Sequence, residues 1–265
     1  MKSIAIIGAG IAGITLARQL QGSAKVSVFE KSRGFGGRMA TRRHGSYQFD
    51  HGAQFFTARS KQFQKLLNDC AAEGQIQAWR PRVLTLDPQK KPFKREWFEP
   101  HYVAVPGMST LCKVLSQELN VILKTQVADI AAAEQGWLLT GAAGERLGQF
   151  DWVISTSPAP QADKLLPACF SHKAALSEVD FFPCLSLLLG FRSAPELNFD
   201  AAVVRNSPLS WIAANSSKHG RPASFALTVH SDNQWARTQP KGSIDTVRNS
   251  MLAALNELLG DQLPA

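Results

Sequence analysis

Near the N-terminus a short apolar run, Ile4-Ala5-Ile6-Ile7, breaks into Gly8-Ala9-Gly10-Ile11-Ala12-Gly13. The run reads as a strand buried on both faces, as parallel strands are. Ile11 to Leu20 reads as a helix, with Ile14, Ala17 and Leu20 among its packing positions. Lys25 to Glu30 reads as a second strand, with Val26, Val28 and Phe29 supplying β propensity. A β-α-β unit at this place restricts the chain to an α/β fold around a parallel sheet. In that context G-x-G-x-x-G is a dinucleotide-binding turn. Gly8 permits the tight turn, Gly10 lets backbone approach a pyrophosphate, and Gly13 lets helix and strand pack closely. Free N–H groups at the helix start then face the phosphate anion. Glu30, twenty residues after Gly10, can accept hydrogen bonds from ribose hydroxyls. The same carboxylate would repel a 2′-phosphate, which argues against NADP here. The competing reading is a strand-turn-helix whose glycines serve packing alone. The turn by itself does not separate NAD from FAD.

The next residues do. An NAD domain would continue with another helix and strand, but this chain gives Lys31-Ser32-Arg33-Gly34-Phe35-Gly36-Gly37-Arg38-Met39-Ala40-Thr41. This second glycine-rich loop allows close backbone approach at Gly37, and Arg38 could pair with a pyrophosphate oxygen. A dinucleotide clamped from both sides suits a flavin that stays bound.

Residues 31–46 are expected as loop, 48–56 as short extended pieces and 60–72 as a helix. From Gln75 to Val105 short strands with proline-bearing turns form an antiparallel insertion. A helix over 109–119, two or three strands over 121–140 and an apolar strand over 150–155 follow. Phe181 to Phe191 is expected as a central strand, with further strands near Trp211 and over 223–229, and a helix over 243–259. This order implies two interleaved domains: 1–75 with 106–175, and 76–105 with 176–265.

Lysine and arginine number 29 against 21 aspartates and glutamates, a net charge of +8. Arg33, Arg38, Arg42, Arg43 and His44 cluster at the second glycine loop and are best explained by cofactor phosphates. Lys90, Lys91, Lys94 and Arg95 read as a solvated hairpin. No nucleic-acid recognition element accompanies either cluster, although a basic mouth would suit an anionic dinucleotide substrate. Cys70, Cys112, Cys169 and Cys184 stand apart without Cys-x-x-Cys spacing. They read as buried reduced thiols of a cytoplasmic protein, with neither zinc nor a redox dithiol. Glycines interrupt the N-terminal apolar stretch, and no other segment reaches the length of a membrane span, so a soluble protein with an intact N-terminus is expected. His51, His101 and His230 invite a catalytic reading, but a lone histidine is more often structural. Trp79, Trp97, Trp211 and Trp235 could wall a flavin but are more often core, and Met108 and Met251 read as packing residues. No residue is singled out as catalytic.

Gly8–Gly13, Glu30 and Gly36-Gly37-Arg38 together resemble the flavin-containing amine oxidase superfamily. Phe49-Asp50-His51-Gly52-Ala53-Gln54-Phe55-Phe56-Thr57-Ala58-Arg59 resembles its renalase-like branch, as do Val105-Pro106-Gly107-Met108-Ser109 and the stretch from His230 to Arg237. The resemblance implies a Rossmann-like FAD-binding domain interleaved with an antiparallel-sheet substrate domain, the architecture of p-hydroxybenzoate hydroxylase and amine oxidases. It implies FAD held by Ala12, Glu30, Lys31, Arg38, Ala53 and Gln54, with Val127 meeting the adenine end through its backbone. Gly52-Ala53-Gln54 would lie near the isoalloxazine ring. Members of this group continue past a helix such as 243–259 with a further flavin-contacting segment. Against them this sequence, ending at Ala265, reads as shortened at the C-terminus, with a sheet edge or apolar patch left open.

The resemblance further implies an FAD-dependent oxidoreductase. Its substrates would be dihydronicotinamide isomers, 2- or 6-dihydro-NAD(P), oxidised to NAD(P)+ by hydride transfer to flavin. Molecular oxygen would take the electrons and leave as hydrogen peroxide. Two other readings stand beside it: a flavin amine oxidase acting on a small amine, and a catalytically incomplete remnant that binds nucleotide or a protein partner.

Overall fold

A computed structural model describes residues 1–96, 98–239 and 243–263. Trp97, one of the four tryptophans considered above, lies outside the described residues. The chain divides into two compact units, each assembled from two separated stretches: Met1–Ala40 with Ser109–Phe181, and Thr41–Met108 with Phe182–Ala265. The sequence reading groups 1–75 with 106–175 and 76–105 with 176–265. Residues 41–75 belong with the second unit. The reason is local, because Thr41–His44 turns back at Gly45 to pair with Tyr47–Asp50, and Asp50 is held there by Lys218 and Arg221.

The first unit carries a four-stranded parallel sheet in the order Trp152–Ser155, Lys2–Ile7, Ala24–Phe29, Val121–Ile122. Ile4, Ala5, Ile6 and Ile7 are all buried, as an apolar run in a central parallel strand must be. Helix Ile11–Leu20 buries Gly13, Ile14 and Ala17. A three-stranded antiparallel sheet, Val127–Ala132, Trp137–Gly141 and Arg146–Phe150, adds Val127, Ile130 and Leu139 to the core around Phe29. Asp151 fastens the start of the first strand. Its carboxylate accepts hydrogen bonds from the Ser3 N–H, the Ser3 hydroxyl and Lys2 Nζ at 2.7–2.9 Å. The Ser3 N–H first, and Lys2 after it, hold this carboxyl well below the usual carboxylate range.

The second unit is built on a six-stranded sheet in the order Ser186–Gly190, Ala226–Ser231, Leu209–Ala214, Ala201–Val204, Val83–Asp87, Lys90–Lys94. All pairings are antiparallel except that of Ala201–Val204 with Val83–Asp87. Helix Ile244–Leu259 lies against it, with Met251, Ala254, Leu255 and Leu259 in the same core as Ile212, Leu227 and Val229. Lys90–Lys94 is exposed along its whole length, as a solvated hairpin should be.

Three expectations are corrected. The apolar stretch 181–191 yields Ser186–Gly190, which is the edge of the sheet and not a central strand. An apolar run reports cover above and below a strand, and carries no information about its neighbours in the plane. The helix expected over 109–119 is Ser109–Leu115, because the chain turns at Glu118 with φ +67°. Of the cysteines, Cys70 and Cys112 are buried as expected, whereas Cys169 and Cys184 are exposed. Burial pushes the Cys112 thiol up to about 12, which leaves it unreactive. Among the described residues no helix is long and apolar enough to cross a membrane.

Leu255 is fully buried at the centre of the larger core. Leu255→Ala should cost ~2–5 kcal/mol through lost transfer energy and the cavity left behind, read as a lowered denaturant midpoint at unchanged slope.

Candidate functional site

In the first unit the glycine turn opens onto a cavity of about 610 Å³, within the ~300–1,000 Å³ typical of small-molecule sites. Gly8 sits at φ +109°, where its N–H reaches the Phe29 carbonyl at 2.8 Å. A Cβ on Gly13 would stand 2.0 Å from the Gly8 carbonyl oxygen, so helix and strand can meet only over a glycine. Behind the turn, the Thr156 hydroxyl donates to the Ile7 carbonyl at 2.9 Å. The second glycine loop comes alongside the first: Gly36 pairs with Gly10, and its N–H donates to the Ala9 carbonyl at 3.1 Å.

Glu30 ties the two loops together. One carboxylate oxygen accepts from the Ala9 N–H at 2.9 Å and the other from the Ser32 N–H at 2.8 Å. Gly8, Gly10, Ala12, Glu30, Lys31, Gly37, Arg38 and Val127 all line the cavity. Gly13 lies behind it as the packing glycine, and Ala53 and Gln54 belong to the second unit. Sequence reasoning did not find Thr125, Gln126, Thr156, Gln161 and Lys164, which also line it. They come from the returning stretch of the unit, where no local motif marks them. Arg38 is the one member of its basic cluster on the cavity wall, while Arg42 lines a groove of the second unit. A glycine turn, a helix N-terminus, two cations at Lys31 and Arg38 and a fixed carboxylate match an adenine dinucleotide. The residues present therefore fit FAD.

The second unit holds a buried charge cluster. Asp50, Lys218 and Arg221 have no exposed side-chain surface. One Asp50 oxygen accepts from Arg221 at 2.6 Å (Nη2) and 3.2 Å (Nε), and from Lys218 Nζ at 3.4 Å. The other accepts from the Thr41 hydroxyl at 2.8 Å and the Met108 N–H at 3.0 Å. Burial alone would raise the Asp50 pKa, but Lys218, Arg221 and the Met108 N–H outweigh it and hold the carboxyl below its ordinary value. Burial drives Lys218 down to about 8, with Arg221 adding to the shift and Asp50 opposing it. Two cations thus share one carboxylate.

Lys218 also donates to Gln54 Oε1 at 3.1 Å and Asn215 Oδ1 at 3.2 Å, and lies 5.4 Å from the centre of the Trp79 ring. The Gln54 amide nitrogen donates to the Asp50 and Gly52 carbonyls, which fixes the orientation of that side chain. His230 Nε2 lies 3.1 Å from the His51 carbonyl, an acceptor, so this nitrogen carries the proton. Its 3.5 Å approach to the Gln54 amide nitrogen then brings two donors together and is no hydrogen bond. Burial, with the Lys218 and His51 charges, lowers the His230 pKa against the favourable carbonyl contact. His101 is buried against Phe55, ring centres 4.1 Å apart, and Trp79 and Trp211 gather around the same ring at 6.2 and 5.8 Å. Trp235 packs instead against the core of helix Ile244–Leu259, and Met108 and Met251 are buried packing residues. Among the described residues no group of three or more His, Cys, Asp or Glu could hold a metal ion.

Asp50→Asn leaves two buried cations without a counter-charge and should cost ~3–5 kcal/mol of stability. Because the folded-state pKa of Asp50 is depressed, its contribution is fully present above the ordinary carboxylate value of 3.8. It is lost as pH falls from there through the folded value. Acid titration of unfolding should show this loss in the parent protein and not in Asp50→Asn.

Residues 6–70 match the NAD(P)-binding Rossmann-like domain. Residues 95–264, more than half of the chain, match the flavin containing amine oxidoreductase model. Among solved structures, a provisionally named protoporphyrinogen oxidase from Exiguobacterium sp. 255-15 superposes with a TM-score of 0.74 at 13% identity, covering 100% of this chain and 84% of that one. Wild-type putrescine oxidase bound to putrescine gives 0.73 at 11% identity, over 98% of this chain and 82% of the other. An oxidoreductase from Methanosarcina mazei gives 0.69 at 11%, over 98% and 85%. At these identities the structures establish a shared fold, an α/β architecture of the amine oxidase type. The family match goes further: this chain belongs to the flavin-containing amine oxidoreductases and is an FAD-dependent oxidoreductase.

Proposed function

We propose that the protein oxidises dihydronicotinamide isomers, 2- or 6-dihydro-NAD(P), to NAD(P)+, as an oxidase of the renalase-like branch working in the cytoplasm. The first unit is the FAD-binding unit and the second the substrate unit. The observation that carries this reading is the net positive charge of the buried cluster beneath Gln54, where Lys218 and Arg221 face the single carboxylate of Asp50. A buried excess of positive charge disfavours an ammonium substrate and favours an anionic one. A dinucleotide carries a diphosphate; a small amine at neutral pH carries the wrong sign.

FAD, when bound, supplies a hydride acceptor and passes electrons on to oxygen. Each turnover takes one dihydronicotinamide, one proton and one O2 to one NAD(P)+ and one hydrogen peroxide. The C–H bond of the donor breaks with its electron pair, and the pyridine ring becomes aromatic, so no protein base is required. The work of the chain is to hold and orient. Gly8, Gly10 and Ala12 present backbone to the pyrophosphate, and Gly13 fixes the helix behind them. Glu30 receives ribose hydroxyls, Arg38 and Lys31 neutralise phosphate charge, and Gly37 keeps the second loop close. Val127 meets the adenine end through its backbone. Ala53 and Gln54 serve the ring end, with the Gln54 amide held by Lys218. His230, its pKa lowered, stays neutral near neutral pH and leaves the charge of the site to Lys218 and Arg221.

Amine oxidation is the second reading, favoured by the aromatic group of Phe55, Trp79 and Trp211. Anaerobic mixing of the FAD-loaded chain with each substrate class separates the two. Bleaching of the flavin absorbance by 2- or 6-dihydro-NAD(P), and not by putrescine or other small amines, is the expected outcome; the reverse pattern overturns the proposal. Arg38→Ala should weaken FAD retention by ~1.5–3 kcal/mol, the worth of a hydrogen bond to a charged group, read as flavin lost on gel filtration. Retention equal to the parent would remove Arg38 from the pyrophosphate.

A further inference from the structure

Lys218 has no exposed side-chain surface, and as an ammonium ion it has three protons to place. Three oxygens stand within reach of Nζ: Gln54 Oε1 at 3.1 Å, Asn215 Oδ1 at 3.2 Å and Asp50 Oδ2 at 3.4 Å. Each proton therefore has an acceptor. A neutral amine carries two protons and a lone pair, and in the same place that lone pair would face an oxygen. The surroundings of Nζ match the charged form.

The three acceptors differ in what else holds them. Asp50 also has Arg221, Thr41 and the Met108 N–H, and Asn215 Oδ1 also accepts from the Asp50 N–H at 3.2 Å. Gln54 Oε1 takes its hydrogen bond from Lys218. At the other end of the same amide, the nitrogen donates to the Asp50 and Gly52 carbonyls, so the buried side chain curls back over its own backbone. The His51 carbonyl between them meets the Ser186 hydroxyl at 2.8 Å and His230 Nε2 at 3.1 Å. The carbonyls of Asp50, His51 and Gly52 are thus all occupied, and side chains fix the turn from Asp50 to Gln54. The ammonium charge strengthens the bond to Gln54 Oε1 and polarises the amide toward the two carbonyls.

Of the charges gathered here, Lys218 is the one that can change state between neutral and alkaline pH. Arg221 keeps its proton throughout. Asp50, in spite of burial, is held below its ordinary value by Lys218 and Arg221. His51 and His230 face the same cluster, and burial lowers both from 6.5, so both are mainly neutral at pH 7. Trp79, 5.4 Å from Nζ, brings no ionisable group. Burial sets Lys218 at about 8, with Asp50 opposing and Arg221 adding. We propose that Lys218 is a positioning residue: its ammonium form holds Gln54, and with it the Asp50–Gln54 turn, in the conformation the reaction uses, and loss of its proton slackens that hold. The inference rests on the reading above that Ala53 and Gln54 serve the ring end of FAD, and it gives that site an alkaline limit. The competent form prevails below about pH 8 and is lost as pH rises through it.

The test compares the FAD-loaded parent with Lys218→Met across neutral and alkaline pH. The substitution removes one charge and leaves Asp50 its pair with Arg221. The flavin midpoint potential is read first, because it needs no substrate. At neutral pH the parent should lie above Lys218→Met, since positive charge at the ring end favours the more anionic reduced flavin. The two should converge once pH passes about 8. Flavin reduction by 6-dihydro-NAD should follow the same course, ~10-fold faster in the parent at neutral pH, as loss of a charge-assisted hydrogen bond predicts. A role in folding alone would displace the variant equally at every pH, so a pH-independent difference, or none, overturns the proposal. Gln54→Leu cuts the link and leaves all three buried charges in place. It should shift the potential and abolish the parent's change of slope near pH 8, and it decides the matter alone if Lys218→Met does not fold. A shift in Gln54→Leu with no change of slope in the parent would sink the role of Lys218 and keep Gln54 at the ring. A potential that neither variant moves would sink the ring-end reading and the inference with it. A change of slope that Lys218→Met removes, without oxidation of any dihydronicotinamide, would uphold Lys218 and sink the proposed reaction.

Discussion

The second unit depends on one buried carboxylate. Asp50 closes the hairpin through Thr41, receives the backbone of Met108, and neutralises Arg221 while also meeting Lys218. Met108, Lys218 and Arg221 come from stretches far from Asp50 in sequence, and the two cations have no solvent to turn to. Arg221 adds the Ala104 and His219 carbonyls, and Asn215 adds the Gln48 carbonyl and the Asp50 N–H. A satisfied network of this kind specifies a single arrangement, because a partial one would strand charge in low dielectric. The arrangement is what orients Gln54, so the stability of this unit and the geometry of its site share a cause.

In the first unit the corresponding constraint is steric. Gly13 lets the helix meet the first strand, and that approach sets the helix N-terminus at the mouth of the cavity. Backbone donors, whose positions the fold dictates, then meet a ligand defined by its negative charge. One unit is thus organised around backbone amides and the other around buried side-chain charge.

Much of this was legible in the sequence, for a physical reason. The β-α-β unit, its turn and Glu30 are contiguous, and each has a local signature in glycine spacing or apolar runs. The cavity residues found by motif, Gly8 to Arg38, are those the chain brings together within its first forty positions. What returns from far along the chain was not legible: Thr156 and Lys164 on the cavity wall, and Lys218 and Arg221 on Asp50. A lysine followed three residues later by an arginine, in Lys218-His219-Gly220-Arg221, looks like surface charge until the fold buries it. The edge position of Ser186–Gly190 escaped for a related reason, since in-plane neighbours leave no trace in hydropathy. Cys169 and Cys184 show that an apolar residue type alone does not determine burial.

Glu30 has a consequence for how tightly a cofactor can be held. Each carboxylate oxygen already accepts a backbone N–H, one from the first glycine turn and one from the residue after the second strand. Each oxygen keeps a further lone pair able to accept a hydrogen bond. The side chain is therefore a strut of the cavity wall, holding its place by bonds that belong to folding. No rotamer has to be frozen and no loop gathered when the nucleotide arrives, so that ordering cost does not fall on binding. An aspartate, one methylene shorter, would have to release one of the two N–H groups to reach the other, and the cradle would loosen on one side before any ligand came near.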